Sequence, residues 1–364
     1  MNDTALKVLR KISNNGYEAY LVGGYPRDFY MGKDTNDYDI CTNATPKDIK
    51  EIFSNSTLKR EQYGSVTMYF DDIRFEITTF RKDIKYLNNR KPIEIQYVND
   101  LLEDLKRRDF TMNTMCIDCN GTLIDLLDGR NDINEGIIKT VGDPYKKIEE
   151  DSLRILRAVR FATVLDFELD LNLKLAIKKY RYLLKKLSYY RKKEELDKIF
   201  SSQNCYKGIE LLKELGLEIE LEIPNVGNIV PTTYLDGIWA QLDVLDKYTF
   251  NKIQRDTIIK INELINKNIL DLNNLYTYGL YITTIVAQIK KMDIKEINRL
   301  YNSLQIYNKD EIKISAMDIC KILNKAPGKY IKDIYNDLEL KIVNNFLKND
   351  SETLKRYIKE NYIN

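Results

Sequence analysis

As far as about Thr140 the spacing of hydrophobic and polar positions changes every few residues. Alternating or β-branched runs such as Ser65 to Phe70 and Ile73 to Phe80 predict short strands. Between them the spacing turns helical. Thr45-Pro46 opens one helix, with Thr45 as cap, Pro46 in the first turn, Asp48 at the positive end and Ile49, Ile52 and Phe53 as its apolar stripe. Gly142-Asp143-Pro144 is a turn signal, and from Lys146 onward helical periodicity in Leu, Ile, Lys and Glu runs almost without interruption. Pro224 and Pro231 flank a break near the middle of that part. The pattern predicts an α+β fold, a mixed sheet with helices followed by an all-helical remainder.

At 364 residues the chain exceeds what one hydrophobic core usually organises, so two or more packed modules are expected. With 43% hydrophobic and 31% charged residues it reads as globular rather than disordered. No apolar run approaches the roughly 18 residues needed to cross a bilayer, and the start MNDTALKVLRKISNNG lacks a signal peptide's apolar core. A cytoplasmic protein with no membrane partner is expected. Lys+Arg of 57 against Asp+Glu of 55 gives +2, so any nucleic-acid surface must be a local patch. Leu183 to Phe200 is basic and aromatic, and reads either as such a patch or as a solvated helix face.

The five cysteines, Cys41, Cys116, Cys119, Cys205 and Cys320, are scattered and odd in number, which suits reduced thiols. Cys116 and Cys119 would point to opposite faces of a strand and have no second ligand pair, so a metal site is not expected there. The absence of histidine changes the picture more. It excludes Ser-His-Asp and Cys-His hydrolases, His-ligated zinc and any histidine-aspartate phosphohydrolase module. The chemistry must run on carboxylates, basic side chains and borrowed metal ions.

Three segments supply such groups. Tyr20 to Val22 reads as a strand delivering the turn Gly23-Gly24, where backbone lacking a Cβ can approach a phosphate, with Arg27 adding a fork for phosphate oxygens. Further on, Asp37-Tyr38-Asp39 sets two carboxylates at i, i+2, on one face of a strand and close enough to hold Mg²⁺ beside a triphosphate. A third segment, Glu150-Asp151-Ser152-Leu153-Arg154, continues through Arg157 and Arg160. On a helix Asp151 and Arg154 share a face. Cytosine and adenine each present an amino donor beside a ring-nitrogen acceptor, whereas uracil and guanine put a carbonyl beside an N–H, so a carboxylate next to a guanidinium matches C and A.

Gly23 to Gly32, then Asp37 to Thr42 and Pro46, resemble the first signature of class II tRNA nucleotidyltransferases and bacterial poly(A) polymerases, in the DNA polymerase β superfamily. Glu76 to Arg81 is similar to the strand before that family's flexible loop, and Tyr86 to Pro92 carries the loop's Tyr, Arg and Pro punctuation. Glu103 to Asn113 resembles the second signature, with Thr114 where alanine is more usual. Tyr206 to Gly216, and near the end Ala316 to Ile319, Pro327-Gly328 and Val343 to Asn349, are similar to later parts of the family, while Glu218 to Ile312 offers no alignment by eye.

The resemblance implies a polymerase β-type head over 1–142, a helical neck that recognises the base over 143–200, a helical body over 201–290 and a tRNA-binding tail over 291–364. It implies addition of C, C and A to the 3′ end of tRNA from CTP and ATP, with Mg²⁺ on Asp37 and Asp39. Gly24, Arg27 and Arg108 would bind phosphate and sugar, Asp151 and Arg154 would read the base, and Arg157 and Arg160 would assist. Glu76 is a further carboxylate near the metal on strand alternation alone. A poly(A) polymerase, an enzyme adding only CC or only A, and a non-catalytic RNA-binding relative stay open.

Overall fold

The computed structural model describes residues 2–54, 57–60, 64–87 and 91–363, with side chains at all of these but 57–60, 83, 85–87 and 91–94. Its packing divides the chain into two compact units, Met1–Ile223 and Pro224–Asn364.

The first unit opens with α1 (Asp3–Ser13), whose N-terminal N–H groups are capped by the Asn2 side chain and whose Ala5, Val8, Leu9 and Ile12 are buried. There follow β1 (Ala19–Val22), α2 (Gly24–Tyr30), β2 (Tyr38–Thr42), α3 (Pro46–Ile52), β3 (Thr57–Arg60), β4 (Ser65–Phe70) and β5 (Ile73–Thr79). Thr45 and Asp48 cap α3 reciprocally. Next come β6 (Arg81–Leu87), β7 (Lys91–Tyr97), α4 (Leu101–Lys106), β8 (Cys116–Ile117), β9 (Leu123–Ile124), α5 (Gly129–Asn134) and β10 (Ile137–Ile138). The unit ends with α6 (Pro144–Glu150), α7 (Leu153–Leu165), β11 (Glu168–Leu169), α8 (Leu171–Tyr180), α9 (Tyr189–Phe200), α10 (Cys205–Glu214) and α11 (Leu217–Leu221).

Seven strands form one sheet in the order β3-β4-β5-β2-β1-β8-β9. β2 and β5 run parallel and the other neighbours antiparallel. One face, with Leu21, Tyr38, Ile40, Met68, Phe75 and Ile77, buries the stripes of α1 and α3. The other face sets Val22, Cys41 and Cys116 against Phe80 and against Leu101 and Leu105 of α4. Strand alternation therefore turns Asp39, level with Val22 in register, toward the α4 side. Cys116 and Cys119 pack on opposite faces, and all five cysteines are free.

The stretch expected as a loop after Arg81 is instead a ladder: β6 and β7 pair antiparallel from Arg81↔Tyr97 to Leu87↔Lys91. Arg90 lies outside the described residues.

The second unit is helical, with α12 (Leu235–Leu242), α13 (Lys252–Leu264), α14 (Leu272–Ile289), α15 (Ile294–Asn302), α16 (Ala316–Leu323), α17 (Tyr330–Val343) and α18 (Ser351–Tyr362). Trp239 anchors part of it, its ring centroid 5.0 Å from Tyr248 and 5.4 Å from Phe250. Among the described residues no helix is long and apolar enough to cross a membrane.

Candidate active site

A cleft of about 620 Å³ in the first unit is lined by Gly24, Arg27, Asp37, Asp39, Arg108, Asp151, Arg154, Arg157 and Arg160, the nine residues expected to hold metal and nucleotide, while Glu76, the further carboxylate expected near the metal, is not in its lining. The end of β1 and the start of β2 bring the turn and the aspartates together. Gly23, at φ +76, takes a conformation that a side chain would strain, and a Cβ there would stand 3.2 Å from Asp39 Oδ2. The turn can lie on the carboxylate only because it has no side chain.

Asp37 is exposed just before β2 and Asp39 is half-buried within it. Burial pushes the Asp39 carboxyl up to about 6, and the nearby charges of Asp37 and Glu76 add to the rise while Arg108 opposes it. Glu76 stands level with Asp39 on the parallel strand β5, with Arg74 at 3.5 Å. Among the described residues no three carboxylates form a ready-made metal cage. Mutually repelling Asp37 and Asp39 nonetheless suit a shared divalent cation that also takes oxygens from a phosphate.

The arginines are held by acids. Arg27 donates to Asp28 at 2.8–2.9 Å and to Asn113 Oδ1 at 2.7 Å. Asp104, fully buried at the end of α4, accepts from Arg107 at 2.8 Å and from Arg108 at 3.1 Å. Burial alone would raise the Asp104 carboxyl, but the two guanidinium charges hold it below its ordinary value. Among the described residues Arg108 Nε has no hydrogen-bond partner of its own. Arg157 donates to Asp109 Oδ2 at 2.7 Å through Nε, and Asp109 also accepts from Asn113 at 3.3 Å. Arg160 Nε stands 3.0 Å from Glu195 Oε2 but off the line of a hydrogen bond, so charge holds the pair. Its guanidinium lies 4.1 Å from the Phe161 centroid.

One expectation of local geometry is corrected. Asp151 is not on a helix with Arg154. It sits in extended backbone (φ −142, ψ 102) between α6 and α7, and its carboxylate accepts the Leu153 N–H at 3.0 Å. A carboxylate that bonds the first free N–H groups of a following helix is better placed ahead of that helix than inside it. Buried Arg154 donates to Lys147 O at 2.6 Å, Glu150 Oε2 at 2.8 Å and Arg107 O at 3.3 Å. The two side chains still line one cleft, brought there by the bend between the helices.

The whole sequence is 35% identical to the CCA-adding enzyme of Lactococcus lactis, across 98% of this chain and 96% of that relative. This chain belongs to the CCA-adding enzyme family. The CCA-adding enzyme of Ligilactobacillus salivarius is 34% identical over 96% of this chain and 94% of its own. Family models agree in order: the poly A polymerase head domain over residues 19–139, the probable RNA and SrmB-binding site of polymerase A over 166–221, and tRNA nucleotidyltransferase domain 2 over 242–358. The structure of the Bacillus stearothermophilus CCA-adding enzyme in complex with CTP matches with a TM-score of 0.85 at 28% identity, covering 98% of this chain and 96% of that one.

Within this member of the CCA-adding family the cleft holds side chains that the motifs did not single out as site residues. Arg107, Asp109, Asn113, Phe161 and Lys198 line it too. The first four lie inside or beside the recognised signatures and were legible there as motif members. Lys198 comes from the basic, aromatic segment, and only the packing of α9 beside α7 distinguishes it from the other lysines around it.

Proposed function

We propose that this protein builds the CCA end of tRNA, transferring nucleotides from CTP and ATP to the 3′ hydroxyl with loss of pyrophosphate. The observation that carries the reading is that nine residues predicted from separate motifs, from Gly24 to Arg160, line a single cleft. The 3′ oxygen of the RNA attacks the α-phosphate, the bond to the β-phosphate side breaks, and pyrophosphate departs. Mg²⁺ bound by Asp37 and Asp39 would supply Lewis acidity to the attacking hydroxyl and the triphosphate. Gly24 lets the triphosphate approach the backbone, while Arg27 and Arg108 bind its phosphate and sugar oxygens. Asp151 and Arg154 read the pairing edge of the base, with Arg157 and Arg160 assisting. The functional division into head (1–142), neck (143–200), body (201–290) and tail (291–364) and a cytoplasmic location belong to the same proposal.

Asp37→Ala and Asp39→Ala each abolish CTP incorporation into a tRNA lacking its CCA end, with tRNA affinity unchanged within about twofold. Turnover by either folded variant in Mg²⁺ would remove the metal assignment. Base reading is tested more gently at Asp151 than at Arg154, because Arg154 also holds Glu150 and two backbone carbonyls. Asp151→Asn keeps an oxygen for Leu153 but turns half of the acceptor into a donor. CTP and ATP use then falls about tenfold to hundredfold, the cost of a mismatched buried polar contact, and their lead over UTP and GTP narrows. An unchanged preference in single-nucleotide incorporation would exclude Asp151 as a base reader.

A further inference from the structure

Three of the arginines that line the cleft share one aromatic ring. The guanidinium carbons of Arg27, Arg157 and Arg160 lie 5.3, 5.5 and 4.1 Å from the centroid of Phe161. Arg157, Arg160 and Phe161 stand at i, i+3 and i+4 on α7, so they share a face of that helix. Arg27 comes from α2, far earlier in the chain. Phe110 meets the ring nearly at right angles, with the centroids 5.7 Å apart, and holds it in place. The ring thus stands where α7 and α2 bring their cations to the same cleft.

Among the described residues, polar contacts join two of the three. Each arginine pairs with a different acid, Arg27 with Asp28, Arg157 with Asp109 and Arg160 with Glu195. Asn113 links the first two, accepting from Arg27 and donating to Asp109. Arg160 stands outside that chain, and among the described residues its Nε has no hydrogen-bond partner. The three charges nonetheless feel one another. Burial lowers the Arg160 guanidinium, and the charges of Arg157 and Arg27 push it lower while Glu195 and Asp109 oppose them. Cations so placed repel, and the negative face of a phenyl ring within about 6 Å offsets part of that repulsion. An aliphatic side chain would fill the space without offsetting it.

We propose that Phe161 is a positioning residue for nucleotide transfer, its ring gathering Arg27, Arg157 and Arg160 at the spacing with which they meet the oxygens of the nucleotide. The phenyl group has nothing to offer a phosphate and acts through the arginines. The assignment rests on the nucleotidyltransferase reading above. Wild-type CTP binding and incorporation of CMP into tRNA test that reading by themselves, so its failure is separate from failure of the variants below. Phenylalanine carrying one, two or three ring fluorines, placed at position 161 of the full chain, drains the negative face of the ring with little change in volume. The Kd of CTP, read by calorimetric titration, rises step by step with fluorine number and reaches about five- to thirtyfold with three. KM for CTP follows while kcat stays nearly level, because the lost interaction holds bound nucleotide and transition state alike. Melting temperature stays level across the series, since the packing is kept. Phe161→Leu, with no ring face at all, loses at least as much CTP affinity as the trifluorinated ring. An affinity that ignores fluorine number, or losses that track melting temperature instead, would reduce the ring to a filler and overturn the inference.

Discussion

Asp109 joins two of the cleft's polar groups, accepting from Arg157 through one oxygen and from Asn113 through the other, and Asn113 in turn accepts from Arg27. Burial alone would raise its carboxyl, but the charge and hydrogen bond of Arg157 bring it down to about 2. A carboxyl lowered on folding stabilises the fold above its unfolded value near 3.8, and that stabilisation drains away as pH falls through the folded value. The Asp109 side chain is 11% exposed and that of Arg157 33%, so solvent screens part of the effect. About 1–2 kcal/mol remains at neutral pH. Asp109→Asn therefore lowers the unfolding free energy by that amount at pH 7, and urea titrations find roughly half the difference gone by pH 3. Asp39 has the opposite sign, since its raised carboxyl costs stability once ionised unless a cation compensates it.

At the scale of elements, Gly129 begins α5 against the turn Thr111–Asn113, and a Cβ there would meet Thr111 O at 2.5 Å. The obstacle is backbone, which cannot swing aside as a side-chain tip does. Gly129→Ala should gain up to about 1 kcal/mol of helix propensity and lose about 1–3 kcal/mol to overpacking. The net expectation is destabilisation together with weaker CTP binding, because the displaced turn carries Asn113. Calorimetric titration beside a melting curve reads both effects. The strands, the Thr45 cap of α3 and the long helical part were legible because their signals are local, a spacing of two or 3.6 and a cap before a stripe. The β6–β7 ladder was not, since Tyr, Arg and Pro mark turns as readily as they mark loops. Asp151 read as helical because i, i+3 spacing says nothing of a bend between its members. The pairings of Arg157 with Asp109 and Arg160 with Glu195 were equally hidden, for they join elements far apart in sequence.

At the scale of the molecule, every candidate site residue lies in Met1–Ile223, and Pro224–Asn364 has its own core around Trp239. Separate cores predict two calorimetric transitions rather than one. CTP with Mg²⁺ should raise only the transition of the first unit, by linkage to the state that binds it. A single transition moving as a whole would mean that the two cores melt together. The pairing of cleft arginines with acids reaches further. A groove of bare cations attracts any polyanion by setting free the mobile ions around it. Here most of the counter-ions are built into the protein, so a ligand gains little from charge alone and must displace or share a bonded carboxylate. Such a cleft is closer to a salt crystal with a shaped vacancy than to a basin of positive potential. It leaves stray polyphosphates and random nucleic acid with little hold, and makes fit the condition for entry.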